Sequence, residues 1–138
     1  LSSKKYAVDP NLWISVLMRG KVIKLDVLIG RENIRLVFSP ELLQEFYDSA
    51  NRVKFRRWFT EEAIDELIEL INSEGEEVLV TSEVDACRDP KDNYLLALVK
   101  DANADYLITG DKDLLVLGSF ANARIINYRT FMEELDKL

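Results

Sequence analysis

The chain has 138 residues, enough for one domain and short for two, and 48% apolar with 31% charged residues provides both a core and a hydrated surface. That balance excludes a disordered tail, while only five glycines and three prolines exclude collagen and low-complexity linkers. A formal charge of −7 excludes a general electrostatic pull toward nucleic acid, so contact with RNA or DNA has to be local or metal-assisted.

In chain order, Tyr6-Ala7-Val8 is predicted as a short strand, and Leu12 to Leu17 as helical. The run I-R-L-V-F, Ile34 to Phe38, reads as a second strand. Glu41 to Asn51 follows as a helix with Leu42, Leu43, Phe46 and Tyr47 on one face. Glu61 to Asn72 carries the firmest helical pattern, because Ile64, Leu67, Ile68 and Ile71 fall at i, i+3, i+4 and i+7. Glu74 to Glu77 (E-G-E-E) reads as a solvated turn, and Val78 to Val80 as a third strand. Asn93 to Ala102 is helical through Leu95, Leu98, Val99 and Ala102. Tyr106-Leu107-Ile108 and Arg124-Ile125-Ile126 supply two more strands, and Thr130 to Leu138 a closing helix. Strands alternating with helices predict a single α/β domain over residues 1–138, with a parallel sheet of about five strands covered on both faces. No apolar run approaches the roughly 20 residues that span a bilayer, and no secretory signal is visible, so a soluble cytoplasmic domain is expected. The chain begins at Leu1 instead of Met, and a few residues there are set outside the natural reading.

All three prolines follow a small polar or acidic residue at a strand end: Asp9-Pro10, Ser39-Pro40 and Asp89-Pro90. Such a pair marks a helix start, since proline at the first helical position loses no N–H bond. Two of these junctions, with the Gly110-Asp111 turn, put acids just past strand ends. In open parallel sheets, ligands bind in the crevice beyond the carboxyl ends of the strands.

Histidine is absent, which removes Ser-His-Asp and Cys-His catalysis and every His-ligated metal. The lone Cys87 can form neither an internal disulfide nor a cysteine zinc site, and it reads as a buried thiol. Four carboxylates stand out, Asp9, Glu45, Asp92 and Asp111, with Asp113 as a fifth. Glu45 lies about 130° from the centre of its helix's apolar face, on a flank that suits a cleft rim or plain solvent. Each acid also has an ordinary reading: Asp9, Asp89 and Asp111 as helix N-caps, and Asp92 as an acid favoured by a helix dipole. Taken jointly, convergent carboxylates repel unless cations neutralise them, and oxygen-only ligands suit Mg²⁺ or Mn²⁺. Such ions activate water for attack on a phosphodiester, and two of them would offset four of the seven excess negative charges.

The blocks V-D-P-N-L-W-I-S (Val8 to Ser15), S-P-E-L-L-Q-E-F (Ser39 to Phe46), D-P-K-D-N-Y-L-L-A-L (Asp89 to Leu98) and A-D-Y-L-I-T-G-D-K-D-L-L (Ala104 to Leu115) occur in the order seen in PIN domains. The chain resembles bacterial and archaeal VapC-like members, the toxins of toxin–antitoxin pairs, over nearly its whole length. The resemblance implies an α/β/α sandwich, an acidic pocket for Mg²⁺ or Mn²⁺, endoribonuclease activity, an antitoxin partner and homodimers. It implies that Asp9, Glu45, Asp92 and Asp111 match the family's four acids. Asn11 then matches an asparagine that hydrogen-bonds behind the metal, Ser15 and Thr109 match small polar residues lining the pocket, and Asp113 matches an acid that is less consistently a ligand. Pro10 departs from the Thr or Ser more usual in the family. On this likeness Asp9, Asp92 and Asp111 hold one or two ions, and Glu45 holds a second ion or orients the attacking water.

Arg52-Val53-Lys54-Phe55-Arg56-Arg57-Trp58-Phe59 is the one concentrated basic-aromatic stretch. Arg52, Lys54, Arg56 and Arg57 either contact RNA phosphates or cap the preceding helix while the aromatics pack inward. Arg19, Lys21 and Lys24 form a thinner basic group with the same two readings. Two other functions compete with the nuclease. A non-catalytic PIN scaffold would be marked by lost acids, and all four are present. A phosphotransfer module of the phosphatase type needs a second Asp two residues after the first, where this chain has Asn11. A receiver domain is poorly matched by Thr109-Gly110-Asp111-Lys112.

Overall fold

The computed structural model describes residues 3–19 and 29–137, so Lys21, Lys24 and Leu138 lie outside the described residues. Among those described, six strands form one sheet in the order β3-β2-β1-β4-β6-β5. They are β1 (Lys4–Val8), β2 (Ile34–Phe38), β3 (Glu76–Glu77), β4 (Tyr106–Ile108), β5 (Ser119–Phe120) and β6 (Ala123–Ile126). The first five in that spatial order are mutually parallel, and β5 adds an antiparallel edge through a two-residue connection to β6. The helices are α1 (Pro10–Arg19), α2 (Pro40–Ala50), α3 (Glu61–Glu74), α4 (Asn93–Asp101), α5 (Lys112–Leu115) and α6 (Tyr128–Leu135). This is the expected α/β/α sandwich. No helix among the described residues is long and apolar enough to cross a membrane.

Both sheet faces are covered, which the central strands show directly. Tyr6, Ala7 and Val8 in β1 and Tyr106, Leu107 and Ile108 in β4 are all buried, although successive strand side chains point to opposite faces. The cover comes from helix stripes: Trp13, Ile14 and Leu17 of α1, Leu42, Phe46 and Ala50 of α2, Ile64, Leu67 and Ile71 of α3. Five consecutive residues of α4, Leu95 to Val99, are buried, so this helix is enclosed on most sides. Phe131 of α6 seats against Tyr6 and Tyr106, with ring centroids 5.3 and 5.4 Å away.

The helix starts follow the sequence signals. Ser39 Oγ accepts from the Leu42 N–H at 3.1 Å with Pro40 at the first position, Thr60 caps α3, and Asn127 caps α6. Two expectations need correction. The third strand is Glu76–Glu77 and not Val78 to Val80, and the E-G-E-E run is therefore not a solvated turn. Pairing begins as soon as α3 ends: Val37 and Phe38 face Glu76 and Glu77, one further rung joins the Val78 N–H to the Phe38 carbonyl at 2.8 Å, and Leu79 is already exposed. Glu76 is held there by Lys5 at 3.3 Å and Arg35 at 3.7 Å. The second is β5, which two residues are too few to announce by alternation.

Gly75 sets the α3–β3 corner. A Cβ there would sit 2.7 Å from the Ile71 carbonyl oxygen and 3.0 Å from the Phe38 ring. Gly75→Ala is therefore expected to destabilise the protein by about 1–3 kcal/mol in denaturant unfolding, and an unchanged midpoint would show that the corner relaxes freely.

Candidate active site

Strands β1, β2 and β3 step one way across the sheet, and β4 then returns to the other side of β1. The strand order thus reverses at the β1–β4 seam, where Val8 pairs with Ile108, and a crevice is expected beyond their carboxyl ends. The next residues on the two strands are Asp9 and Thr109. An open cleft of about 310 Å³ lies there, lined by Asp9, Asn11, Leu12, Ser15, Gly110 and Asp111.

Asp9 is buried and held from both sides. Its N–H donates to the Ile108 carbonyl at 2.9 Å. Its Oδ1 accepts from the Asn11 N–H at 2.9 Å, and its Oδ2 accepts from the Thr109 hydroxyl at 2.7 Å. Burial pushes the Asp9 carboxyl up from the ordinary range, the Thr109 and Asn11 bonds oppose that, and the Asp111 charge adds to it. The fully buried Thr109 hydroxyl also accepts from the Asp111 N–H at 3.0 Å, so one side chain ties β1 to the β4–α5 turn. Asp111 caps α5 by accepting from the Asp113 N–H at 2.8 Å.

Asp92 closes the group from a 3-10 turn, Pro90–Asp92, whose start is capped by Asp89. It is buried, and its Oδ2 receives no hydrogen bond. Its carboxyl is pushed up to about 7, by burial first, then by the neighbouring Asp111 carboxyl and the charges of Asp9 and Asp89. Asp9, Asp92 and Asp111, each from a different junction, thus share one electrostatic site. The capping role and the clustering coexist, because a cap occupies one carboxylate oxygen and leaves acceptor capacity on the other.

The remaining sequence candidates are placed differently. Glu45 is exposed on α2, outside the Asp9–Thr109–Asp111 hydrogen-bond network. The Asn11 backbone N–H, not its side chain, binds Asp9. Ser15 lines the cleft while its hydroxyl donates back to the Asn11 carbonyl at 3.1 Å. Asp113 is engaged by Arg88 at 2.9 Å. Cys87 is buried, its thiol donates to the Asp113 carbonyl at 3.6 Å, and burial pushes the thiol up. Arg52, Lys54, Arg56 and Arg57 are exposed in the turn after α2.

Two residues beside the site went unnoticed in the sequence. Tyr94 is a half-buried phenol whose titration is pushed up by burial and then by the charges of Asp9, Glu45, Asp92 and Glu41. Asn93 Oδ1 accepts from the Ala86 and Cys87 N–H groups at 3.2 and 2.9 Å, fastening the preceding loop to the start of α4. Their signal was only adjacency to Asp92 in D-N-Y.

Thr109→Val keeps the shape but strips Asp9 Oδ2 and the Asp111 N–H of their shared partner. It is expected to cost about 1–3 kcal/mol in equilibrium unfolding, and a neutral result would mean that the hydroxyl bridge contributes nothing to stability.

Among the described residues, no three acidic or cysteine side chains are placed as a group that could hold a metal ion. The donors fit a hard ion that retains several waters, such as Mg²⁺, which takes only one or two protein carboxylates directly. The donor set is all oxygen, it repels itself without a cation, and Asp92 presents a buried oxygen with no partner.

The sequence profile described as PIN domain matches residues 5–113, a span that contains all four of the predicted acids. Comparison with curated proteins returns no match.

Proposed function

We propose that this chain, which belongs to the PIN-domain family and so to a group made up generally of nucleases, is a divalent-metal-dependent endoribonuclease and the toxin of a toxin–antitoxin pair. The supporting observation is that Asp9 and Asp111 line a cleft at the strand-order reversal, while Asp92, with a buried, unpartnered oxygen, feels the charges of both. Family nucleases usually use divalent metals, and Mg²⁺ or Mn²⁺ suits these ligands. The toxin role, an antitoxin partner and a homodimer rest on the likeness of the four sequence blocks.

Asp9, Asp92 and Asp111 are the residues that would hold the ion, directly or through its waters. When bound, such an ion supplies positive charge against the phosphodiester and favours deprotonation of water. Thr109 and the Asn11 N–H fix the Asp9 carboxylate and leave its other lone pairs toward the cleft. Glu45 is assigned to orienting the attacking water or holding a second ion, with the Tyr94 phenol nearby as a hydrogen-bond donor. The chain has no histidine, so the water proton is assigned to a carboxylate, or leaves for solvent where an ion has already favoured its loss. The water oxygen joins phosphorus, the bond to the 3′ oxygen breaks, and that oxygen takes a proton, leaving a 5′-phosphate and a 3′-hydroxyl.

The test is cleavage of labelled single-stranded and structured RNA with Mn²⁺ or Mg²⁺ and with chelator. Cutting that requires the ion supports the assignment, and cutting that survives chelation refutes it.

A further inference from the structure

The turn from Arg52 to Phe59 is the strongest unassigned surface feature. It carries four cations and no acid in a protein whose formal charge is −7. Seven ion pairs among the described residues engage Lys4, Lys5, Arg35, Arg88, Lys91, Arg124 and Arg129, but none engages Arg52, Lys54, Arg56 or Arg57. The aromatic residues divide into two roles. Phe55 and Phe59 are half-buried, stack with centroids 5.9 Å apart, and pack on the core, which fixes the turn. Trp58 stays 48% exposed and Val53 73% exposed. Two of the four cations lie over rings, with Lys54 Nζ 5.1 Å from the Phe55 centroid and the Arg57 guanidinium 5.1 Å from that of Trp58. Inward packing therefore accounts for the two phenylalanines, whereas Trp58, covered on one side by Arg57, stays exposed together with the four cations.

We infer that this turn binds single-stranded RNA, with Trp58 stacking on a base and Arg52, Lys54, Arg56 and Arg57 neutralising phosphates. The inference names the surface by which the proposed nuclease engages its substrate and rests on that reading. An exposed indole among cations that pair with no acid among the described residues matches the physics of single-strand recognition, in which stacking adds to phosphate neutralisation. A twofold contact with a second copy is disfavoured, because it would set like charges against each other. Since the acids at the strand-order reversal repel phosphates, a cationic surface elsewhere on the chain gives the polyanion a place to engage.

The test uses the full chain in chelator, so that binding is read separately from cleavage. Fluorescence anisotropy follows a labelled twelve-nucleotide oligouridylate and a duplex RNA of the same length. The wild type is expected to bind the single strand more tightly than the duplex, and Trp58→Ala to weaken that binding about tenfold. Replacing Arg52, Lys54, Arg56 and Arg57 with Gln is expected to flatten the log–log salt dependence by about 3. Circular dichroism melting confirms that these surface variants stay folded. Equal binding by wild type and Trp58→Ala overturns the inference, as does a wild type that binds no RNA, and either result would leave an acidic protein partner as the occupant. Metal-dependent cleavage of the same RNA, measured separately, reports on the nuclease assignment and can hold where this inference fails.

Discussion

Asp9→Asn is expected to lower metal-dependent RNA cleavage by ~10³-fold or more, about 4 kcal/mol of barrier, while the variant stays folded. The geometry explains why the two effects separate. An amide oxygen still accepts from the Asn11 N–H, and the amide NH₂ can donate to Thr109 Oγ1, which already accepts from the Asp111 N–H. The hydrogen-bond frame between β1 and the β4–α5 turn therefore persists. What disappears is the one carboxylate fixed at the β1 end of the cleft, and with it the charge that attracts a cation. Matching circular dichroism spectra and melting curves, together with lost cleavage, are the expected results. Cleavage within tenfold of wild type would remove Asp9 from the mechanism.

Asp92→Asn should move stability and activity in opposite directions. In chelator the wild-type carboxyl is buried, unpartnered at Oδ2, and set against Asp111. An amide carries no charge and can donate to Asp111, so the variant is expected to be more stable by about 1–3 kcal/mol at pH 8. The sign follows from the titration: with the folded Asp92 at about 7 and an ordinary value of 3.8, the folded state holds a proton that the unfolded state has released. Wild-type stability from this group therefore falls as pH rises from about 4 to about 7. The gain from Asn is largest above that window and fades toward pH 4. Cleavage, by contrast, is expected to drop at least about 100-fold, because an unsatisfied buried oxygen is tolerated for binding and not for folding. Equal melting temperatures in chelator at pH 8 would show that Asp92 carries no such strain.

Much of this arrangement was written locally in the sequence. Y-A-V and Y-L-I are buried on both faces, so they appear as unbroken apolar runs, and proline or glycine after each strand marks where the chain turns. That is why Asp9, Asp92 and Asp111 could be picked out, since each sits at a junction that the punctuation identifies. Their meeting was less accessible, because it depends on β4 returning beside β1 after β2 and β3 have gone the other way. Only the order of the resembling blocks carried that information. Pairings between distant side chains left no trace: Arg88 with Asp113, Glu76 with Lys5 and Arg35, Thr109 with Asp9. Glu45 shows the limit of helical phase. Its flank position is compatible with a cleft rim or with solvent, and the structure places it exposed, outside the hydrogen-bond network of the clustered acids. The shift of β3 by two residues has a similar origin, since hydropathy favoured Val78 to Val80 while the end of α3 at Gly75 and the register with Phe38 decided the pairing.

The most direct measurement is a Mn²⁺ titration that follows ion binding by calorimetry and RNA cleavage in the same samples. Wild type should bind the ion saturably, with cleavage rising along the same curve and yielding 5′-phosphate and 3′-hydroxyl ends. A variant with Asn at positions 9, 92 and 111 should lose both binding and cutting. Ion binding of equal strength in that variant, or cleavage that proceeds without the ion, would contradict a carboxylate-held metal at the strand-order reversal.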